Sequence, residues 1–424
     1  MLQHGVPDTK DFILSAEEEA TLAGDHGHVC QWAIAMQIEV GRFFGAHNLV
    51  EVTCAHMMGD MEVMGEAGLI LLKRLAMEGT RVVVPTTTNA RCVDFAAAER
   101  LLQDPELVAK ERELMGYLRN MGVMLTDTCV NYQTLYQPHS GEHIAWGDTG
   151  TVIYANSVLG ARSNFESGPA AFAAAITGRT PNYGFHLDEC RLGTVLVEVE
   201  AELNDLADWG ALGAVVGREV NDYWQVPVFT GITKAPISDQ LKHLGASLAS
   251  YGSLAMFHMI GVTPGATNVD EVCGGRVPTH RITADAAAIE AVYASYPADR
   301  AQMDAVVLTG PQLSLFELRL VAELLAGRRV HADTAFIITT NRQNYEAAKA
   351  LGYVTAIEKA GGLVLIGVCF YLMAAGEIRK KFGWSNVLTN SAKFANIISG
   401  YRYRPILRRT RDCVEAAITG KLAA

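Results

Sequence analysis

Short apolar runs separated by amphipathic stretches organise most of the chain. Ser15-Ala16-Glu17-Glu18 has the spacing of a capping box, the Ser side chain accepting from a free amide while Glu18 reaches back, so a helix is predicted to begin near Ala16. A second helical stretch runs through Met36 and Val40. Leu49 to Thr53 reads as a short buried strand, Glu62 to Met77 as a helix, and Arg81 to Val84 as a strand ending at Pro85-Thr86-Thr87-Thr88-Asn89. Strands are predicted again at Val195 to Val199, Ala305 to Leu308, Ala335 to Thr339 and Val364 to Val368. Helices at Ala284 to Tyr296, Ser314 to Ala326 and Asn341 to Leu351 separate the later ones. This alternation predicts an α/β fold with mostly parallel sheets covered on both faces, whose functional loops lie at the C-terminal ends of the strands.

With 424 residues, half of them hydrophobic, the chain can bury a large core in two or three lobes. No repeat or low-complexity linker divides it. Breaks near Asn131 to His139 and Pro278 to Asp285 predict lobes 1–135, 136–280 (the catalytic one) and 281–424. The net charge of −11 argues against a nucleic-acid partner, which needs clustered Lys and Arg. Arg379-Lys380-Lys381 before Phe382-Gly383 suits a helix C-terminus, and the arginines from Arg402 to Arg411 suit a solvated face or a partner contact. Met1 to Lys10 lacks the features of a signal peptide, and no apolar run reaches the roughly 18 residues of a membrane span. A soluble cytoplasmic protein is expected.

Polar chemistry is densest from Gln137 to Asp148 and from Ala155 to Asn164, where His139, Glu142, His143, Asp148, Asn156, Ser157 and Arg162 crowd between glycines. A packed core would want apolar side chains there. The eight cysteines are scattered with no C-x-x-C pair, so a metal site has to be assembled by the fold. Cys129 and Cys369 each follow a predicted strand at the mouth of a loop, where a thiolate can face a cleft and bind iron; the alternative for any single Cys is a small buried hydrophobe. Thr389-Asn390-Ser391-Ala392-Lys393 starts a helix, so Ser391 and Lys393 either donate to an anion or simply cap it. His56 and His258 sit in apolar surroundings, Thr86 to Asn89 either bind a substrate or close a turn, and Arg162 either grips a carboxylate or forms a surface pair.

Several of these segments together resemble one family. Thr126-Asp127-Thr128-Cys129, Gly141-Glu142-His143-Ile144-Ala145-Trp146, Ala155-Asn156-Ser157-Val158-Leu159-Gly160-Ala161-Arg162, Tyr183-Gly184-Phe185-His186-Leu187-Asp188-Glu189, Gly261-Val262-Thr263-Pro264 and Thr389-Asn390-Ser391-Ala392-Lys393 occur in the order seen in aconitase X, the divergent branch of the aconitase superfamily. The resemblance spans nearly the whole chain. It implies an iron-sulfur dehydratase of aconitase-like, multi-lobed α/β architecture, corresponding to the large subunit alone and lacking the small swivelling domain. A separate small subunit carrying that domain is the implied partner, closing over the cleft.

Two activities go with the family: dehydration of cis-3-hydroxy-L-proline, and of mevalonate 5-phosphate in archaeal members. Where archaeal members carry Gly-Cys-Pro-His, this chain reads Thr309-Gly310-Pro311-Gln312, which favours the hydroxyproline activity and removes one cluster ligand. The implied cluster ligands are then Cys129, Cys369 and Cys413, with Cys92 as a substitute for the last; the cluster type stays open. Ser391 or Lys393 is the implied base, with His143 behind them, and Arg162 the implied carboxylate anchor. His56, Thr87, Asn89, Asn156, Ser157 and Thr263 complete the implied substrate-binding set. The rival expectations are a transferase with Cys129 as nucleophile, helped by His139 or His143, and a non-catalytic subunit that binds a small acid.

Overall fold

The computed structural model describes residues 12–298 and 302–422. Three parallel sheets carry the chain. The first has the central strand Ala55–Met57 between Thr86–Thr88 and Ala145–Trp146. The second orders His258–Met259, Pro227–Thr230, Val195–Val199 and His280–Ala284. The third orders Leu363–Ile366, Ala335–Thr340, Ala305–Leu313, Asn386–Thr389 and Arg404–Leu407. Only the small pair Leu49–Glu51 and Arg179–Pro181 is antiparallel among the described strands. The α/β class with mostly parallel sheets follows directly from the alternation of apolar runs and amphipathic stretches. No described helix is long and apolar enough to cross a membrane.

Helix ends obey local chemistry. Ser15 and Glu18 form the predicted capping box of Ala16–Ala23, and Ser314 with Glu317 forms another on Leu315–Leu325. Gly383, in the left-handed region, closes Ala375–Phe382 just after its basic last turn. The helices Leu206–Val220 and Ser238–Gly252 lie outside the predicted elements. They cross so closely that a Cβ on Gly217 would stand 2.8 Å from Tyr251 Cβ and 3.0 Å from the Gly252 nitrogen.

The strand predicted at Arg81 to Val84 falls elsewhere. The amides of Val82 and Val83 bond the carbonyls of Met121 and Ala175, and the ladder begins only after Pro85, at Thr86–Thr88. Val82 and Val84 pack against the core while Val83 is exposed, and β-branched threonines suit the pleat equally well and so hid the strand from a hydrophobicity pattern.

The first and third sheets meet through the loops that leave their C-terminal edges. Arg91, beyond Thr86–Thr88, forms a bridge with Val368, just after Leu363–Ile366. Loops from the C-terminal edges of the two sheets therefore converge at one junction.

Candidate active site

Cys129 is brought to the junction by Thr88. The Thr88 hydroxyl accepts from the amides of Thr126 and Asp127 (both 3.1 Å), and its carbonyl accepts from Thr128 N (3.1 Å). No regular strand precedes Cys129; this hook does its work. Cys369 arrives from the opposite sheet, behind Gly367, where glycine is required both by the positive φ of 71° and because a Cβ there would press within 2.9 Å of Asp127 Cβ. Burial raises the Cys129 thiol to about 12, Asp148 and Cys369 adding to the rise and Lys393 opposing it. Cys369 is raised as well, chiefly by burial, again with Lys393 opposing. The two thiols thus share one environment and one cation.

That cation comes from the first turn of the helix Ala392–Ile398. Burial works against the Lys393 ammonium, yet Asp148, Cys129 and Cys369 together keep its pKa above the ordinary value. Lys393 makes no hydrogen bond with the described residues. Asp148, directly beyond Ala145–Trp146, caps Thr149–Tyr154 through Oδ1, which accepts from Gly150 N (3.0 Å) and Thr151 N (3.1 Å). Its Oδ2 accepts from Asn89 Nδ2 at 3.3 Å. A Cβ built on Gly150 would be 3.2 Å from Asp148 Oδ1 and 3.6 Å from Lys393 Nζ, which places the ammonium against the Asp148 turn.

His56 and Asn89 finish the arrangement. His56 Nδ1 is hydrogen-bonded to Thr87 Oγ1 (2.8 Å), and its Nε2 is buried without a partner, as is Asn89 Oδ1. Burial lowers the His56 pKa to about 4 against the pull of Asp148, so the imidazole is neutral at physiological pH. Unengaged buried polar atoms are rare in folded chains and mark places where a ligand or water completes the bonding.

The fold therefore gathers Cys129, Cys369, Lys393, His56, Thr87 and Asn89. Ser391 is adjacent, but its hydroxyl donates to Gly310 O and accepts from Phe394 N (3.1 Å) as the helix cap. His143 precedes Ala145–Trp146, at the end of that strand opposite to Asp148. It faces His186 (Nδ1 to Nδ1, 2.8 Å), and burial, then His186 and Arg162, lower its pKa to about 4. Arg162 donates to the His186 carbonyl (2.7 Å) and pairs with the exposed Asp188.

Three further residues of the predicted set knit the middle of the chain together. Asn156 donates to the carbonyls of Ser163 and Ala255 (2.8 and 2.9 Å) and accepts from Ser163 N (2.9 Å). Ser157 and Thr263 accept from the amides of Phe257 and Met259 (both 2.9 Å). Cys413 is buried in Thr410–Thr419 and contacts the Arg408 carbonyl; the charges it feels are Asp205, Asp412 and Arg408, none of them at the junction. Cys92 is buried beside Glu111 and Asp60.

Two junction residues escaped the sequence reading. Asp148 lay within the polar stretch, and its helix-capping position was the available signal. Gln312, whose amide donates to Cys129 Sγ at 3.3 Å, was read only as part of the departure from the Gly-Cys-Pro-His pattern. Among the described residues, no three His, Cys, Asp or Glu side chains form a ready-made metal site, so a metal or cluster held here would rest on the two thiols plus donors of another kind.

Comparison with known proteins places this geometry in context. The chain matches the models of the aconitase X first domain over residues 11–189, the second over 193–294 and the third over 303–419. It is 35% identical over 406 residues to the phosphomevalonate dehydratase large subunit of Thermococcus kodakarensis, covering 95% of this chain and 99% of that one. It is 32% identical to the cis-3-hydroxy-L-proline dehydratase of Pseudomonas aeruginosa, covering 97% of this chain and 71% of that one. The crystal structure of Thermococcus kodakaraensis aconitase X in its holo-form superposes with a TM-score of 0.86 at 32% identity, over 96% of this chain and 100% of that one.

Proposed function

The chain belongs to the aconitase X family and is a dehydratase, a carbon-oxygen lyase; we propose that its substrate is cis-3-hydroxy-L-proline, converted to pyrroline-2-carboxylate. The observation that carries this reading is the charge complement of the junction. Lys393 is a cation without a hydrogen-bonded partner among the described residues, suited to one carboxylate. Beside it, Asp148 and Asn89 Oδ1 are acceptors suited to the two N–H groups of a ring ammonium, and His56 Nε2 is left free to accept a proton. Arg91, on a loop that borders the junction, is tied to Asp127, Val93 O and Ile366 O, so it is not free to serve a phosphate as a second cation.

Cys129 and Cys369 fit an iron-sulfur cluster as paired, buried thiols of matching environment. When bound, such a group supplies Lewis acidity to the leaving 3-hydroxyl. Lys393 holds the carboxylate and stabilises the negative charge that grows next to it. In the tautomer with its proton on Nδ1, toward Thr87, neutral His56 accepts the C2 proton at Nε2. The C2–H electron pair becomes the C2–C3 double bond while the C3–O bond breaks and hydroxide departs with its own pair. The enamine so formed tautomerises to the imine in solution. Asn89 and Asp148 fix the ring nitrogen so that the C2 hydrogen stays directed at His56.

The large-subunit names of relatives support a separate small subunit as the partner that excludes water from this open junction. One observation favours a second reading. The archaeal phosphomevalonate dehydratase large subunits match this chain almost end to end, whereas the hydroxyproline enzyme is longer. The test is anaerobic reconstitution with iron, sulfide and the small partner, followed by assay of both substrates. Turnover of cis-3-hydroxy-L-proline, with C2-hydrogen exchange in deuterated water lost in His56→Gln, is expected. Turnover of mevalonate 5-phosphate alone would transfer the assignment to the second reading.

A further inference from the structure

We propose that Gln312 is the positioning residue that sets the spacing between the thiols of Cys129 and Cys369. This rests on the reading above that the two thiols act as a pair. Gln312 is fully buried and touches both cysteine loops at once. Its side-chain Nε2 donates to the carbonyl of Asp127 (3.2 Å), two residues before Cys129, and to the carbonyl of Val368 (3.1 Å), immediately before Cys369. Its backbone amide donates to Cys129 Sγ (3.3 Å). One residue therefore fastens the two loops to each other and directs a dipole at one of the two sulfurs.

The orientation of the amide supports a dedicated role. With both Nε2 hydrogens engaged, Oε1 is buried without a partner among the described residues, an unfavourable arrangement for an amide with no task. Turning the amide over would set Oε1 against two carbonyl oxygens, so the observed orientation is the only one that joins the loops. Gln312 is itself held from behind, because Lys242 Nζ donates to its carbonyl at 3.2 Å. Arg91 joins the same loops from the other side, donating to Asp127 Oδ2 and to Ile366 O. Its guanidinium, however, reaches neither a sulfur nor the residue next to Cys369, which leaves the sulfur spacing to Gln312.

The experiment uses cadmium alone as the probe, on the full chain free of iron, and reads the ultraviolet thiolate-to-cadmium charge-transfer band. Cys129→Ser and Cys369→Ser subtract the contribution of the other thiols. The wild-type chain is expected to bind one cadmium through two thiolates. Gln312→Glu keeps the shape but turns two donors into acceptors, and is expected to weaken that site about 10- to 100-fold, the range for a group that orients metal ligands. Gln312→His, which retains one N–H donor, is expected to recover part of the loss.

A Gln312→Glu site within twofold of wild type overturns the positioning role while leaving the thiol pair intact. Absence of a two-thiolate band in the wild-type chain overturns the pair itself, and the positioning role with it. Should Gln312→Glu fail to unfold cooperatively, Gln312→His alone decides: full wild-type affinity would sink the proposal, and a severalfold loss would sustain it.

Discussion

Two buried charged clusters lie a few residues apart in this molecule, and they are opposite in character. Around Lys242 the charged groups are all engaged. The ammonium meets Glu317, Asp239 Oδ1 (3.2 Å) and the Gln312 carbonyl (3.2 Å), and Glu317 Oε1 meets His243 Nε2 at 2.8 Å. Ser314 gives its amide to Glu317 and its hydroxyl to Asp239 (both 2.7 Å), and Gln133 reaches Asp239 as well (3.0 Å). At the junction, by contrast, Lys393 makes no hydrogen bond, His56 Nε2 and Asn89 Oδ1 have no partner among the described residues, and two buried thiols lie within reach of the same cation. Buried charge alone does not mark a site. A closed network holds helices together, whereas an open one is completed by a ligand.

The comparison breaks most readily at the junction. Cys369→Ser is expected to abolish iron binding and turnover together, measured by iron content and dehydration rate. Lys393→Met is expected to lower kcat by about 10²- to 10³-fold, the effect of losing one charge-stabilising group, with little change in the melting curve. Wild-type turnover in either variant would place the chemistry elsewhere.

The closed network should respond in the other observable. Lys242→Met leaves Glu317 and Asp239 buried without their cation and is expected to destabilise folding by about 3–5 kcal/mol, read by denaturant titration. The network also sets an acid limit. Burial opposes ionisation of Glu317, but Lys242 and His243 hold its pKa down to about 2 from an ordinary 4.5. A carboxyl depressed in the folded state contributes stability that is complete above the unfolded value and is lost as pH falls through the folded one. Thermal stability should therefore decline between pH 4.5 and about 2, and Glu317→Gln, already destabilised at neutral pH, should flatten that decline.

Asp60 sharpens the comparison with the smallest effect. Its Oδ1 caps Met61–Met77, but Oδ2 is buried without a partner, and burial together with Glu111 raises its pKa well above 3.8. The sign is the reverse of Glu317: stability is lost as pH rises above the unfolded value. Asp60→Asn keeps the cap and is expected to gain about 1 kcal/mol at pH 8 and nothing near pH 4, one pKa unit being about 1.4 kcal/mol. An equal gain at both pH values would mean that the carboxyl is not the cause.

Local chemistry was legible before any coordinates. The Ser15 capping box, the Gly383 stop, the strands Val195–Val199 and Ala335–Thr340 and the parallel α/β class all follow from interactions within a few residues or from the period of apolar positions. The candidate residues were legible as types: thiols without a local partner, a lysine in a helix's first turn, a histidine and an asparagine next to short strands. Their grouping was not. Polar density drew attention to Arg162 and His143, which the fold sets at the far end of the strand from Asp148, and the need for a third cluster ligand drew attention to Cys413, which the fold buries in a separate helix. Periodicity reports which face of an element is buried, because that depends on neighbours along the chain. Which loops from two different sheets meet depends on how those buried faces pack, so Gln312 could be recognised as the clasp between Cys129 and Cys369 only in the assembled molecule.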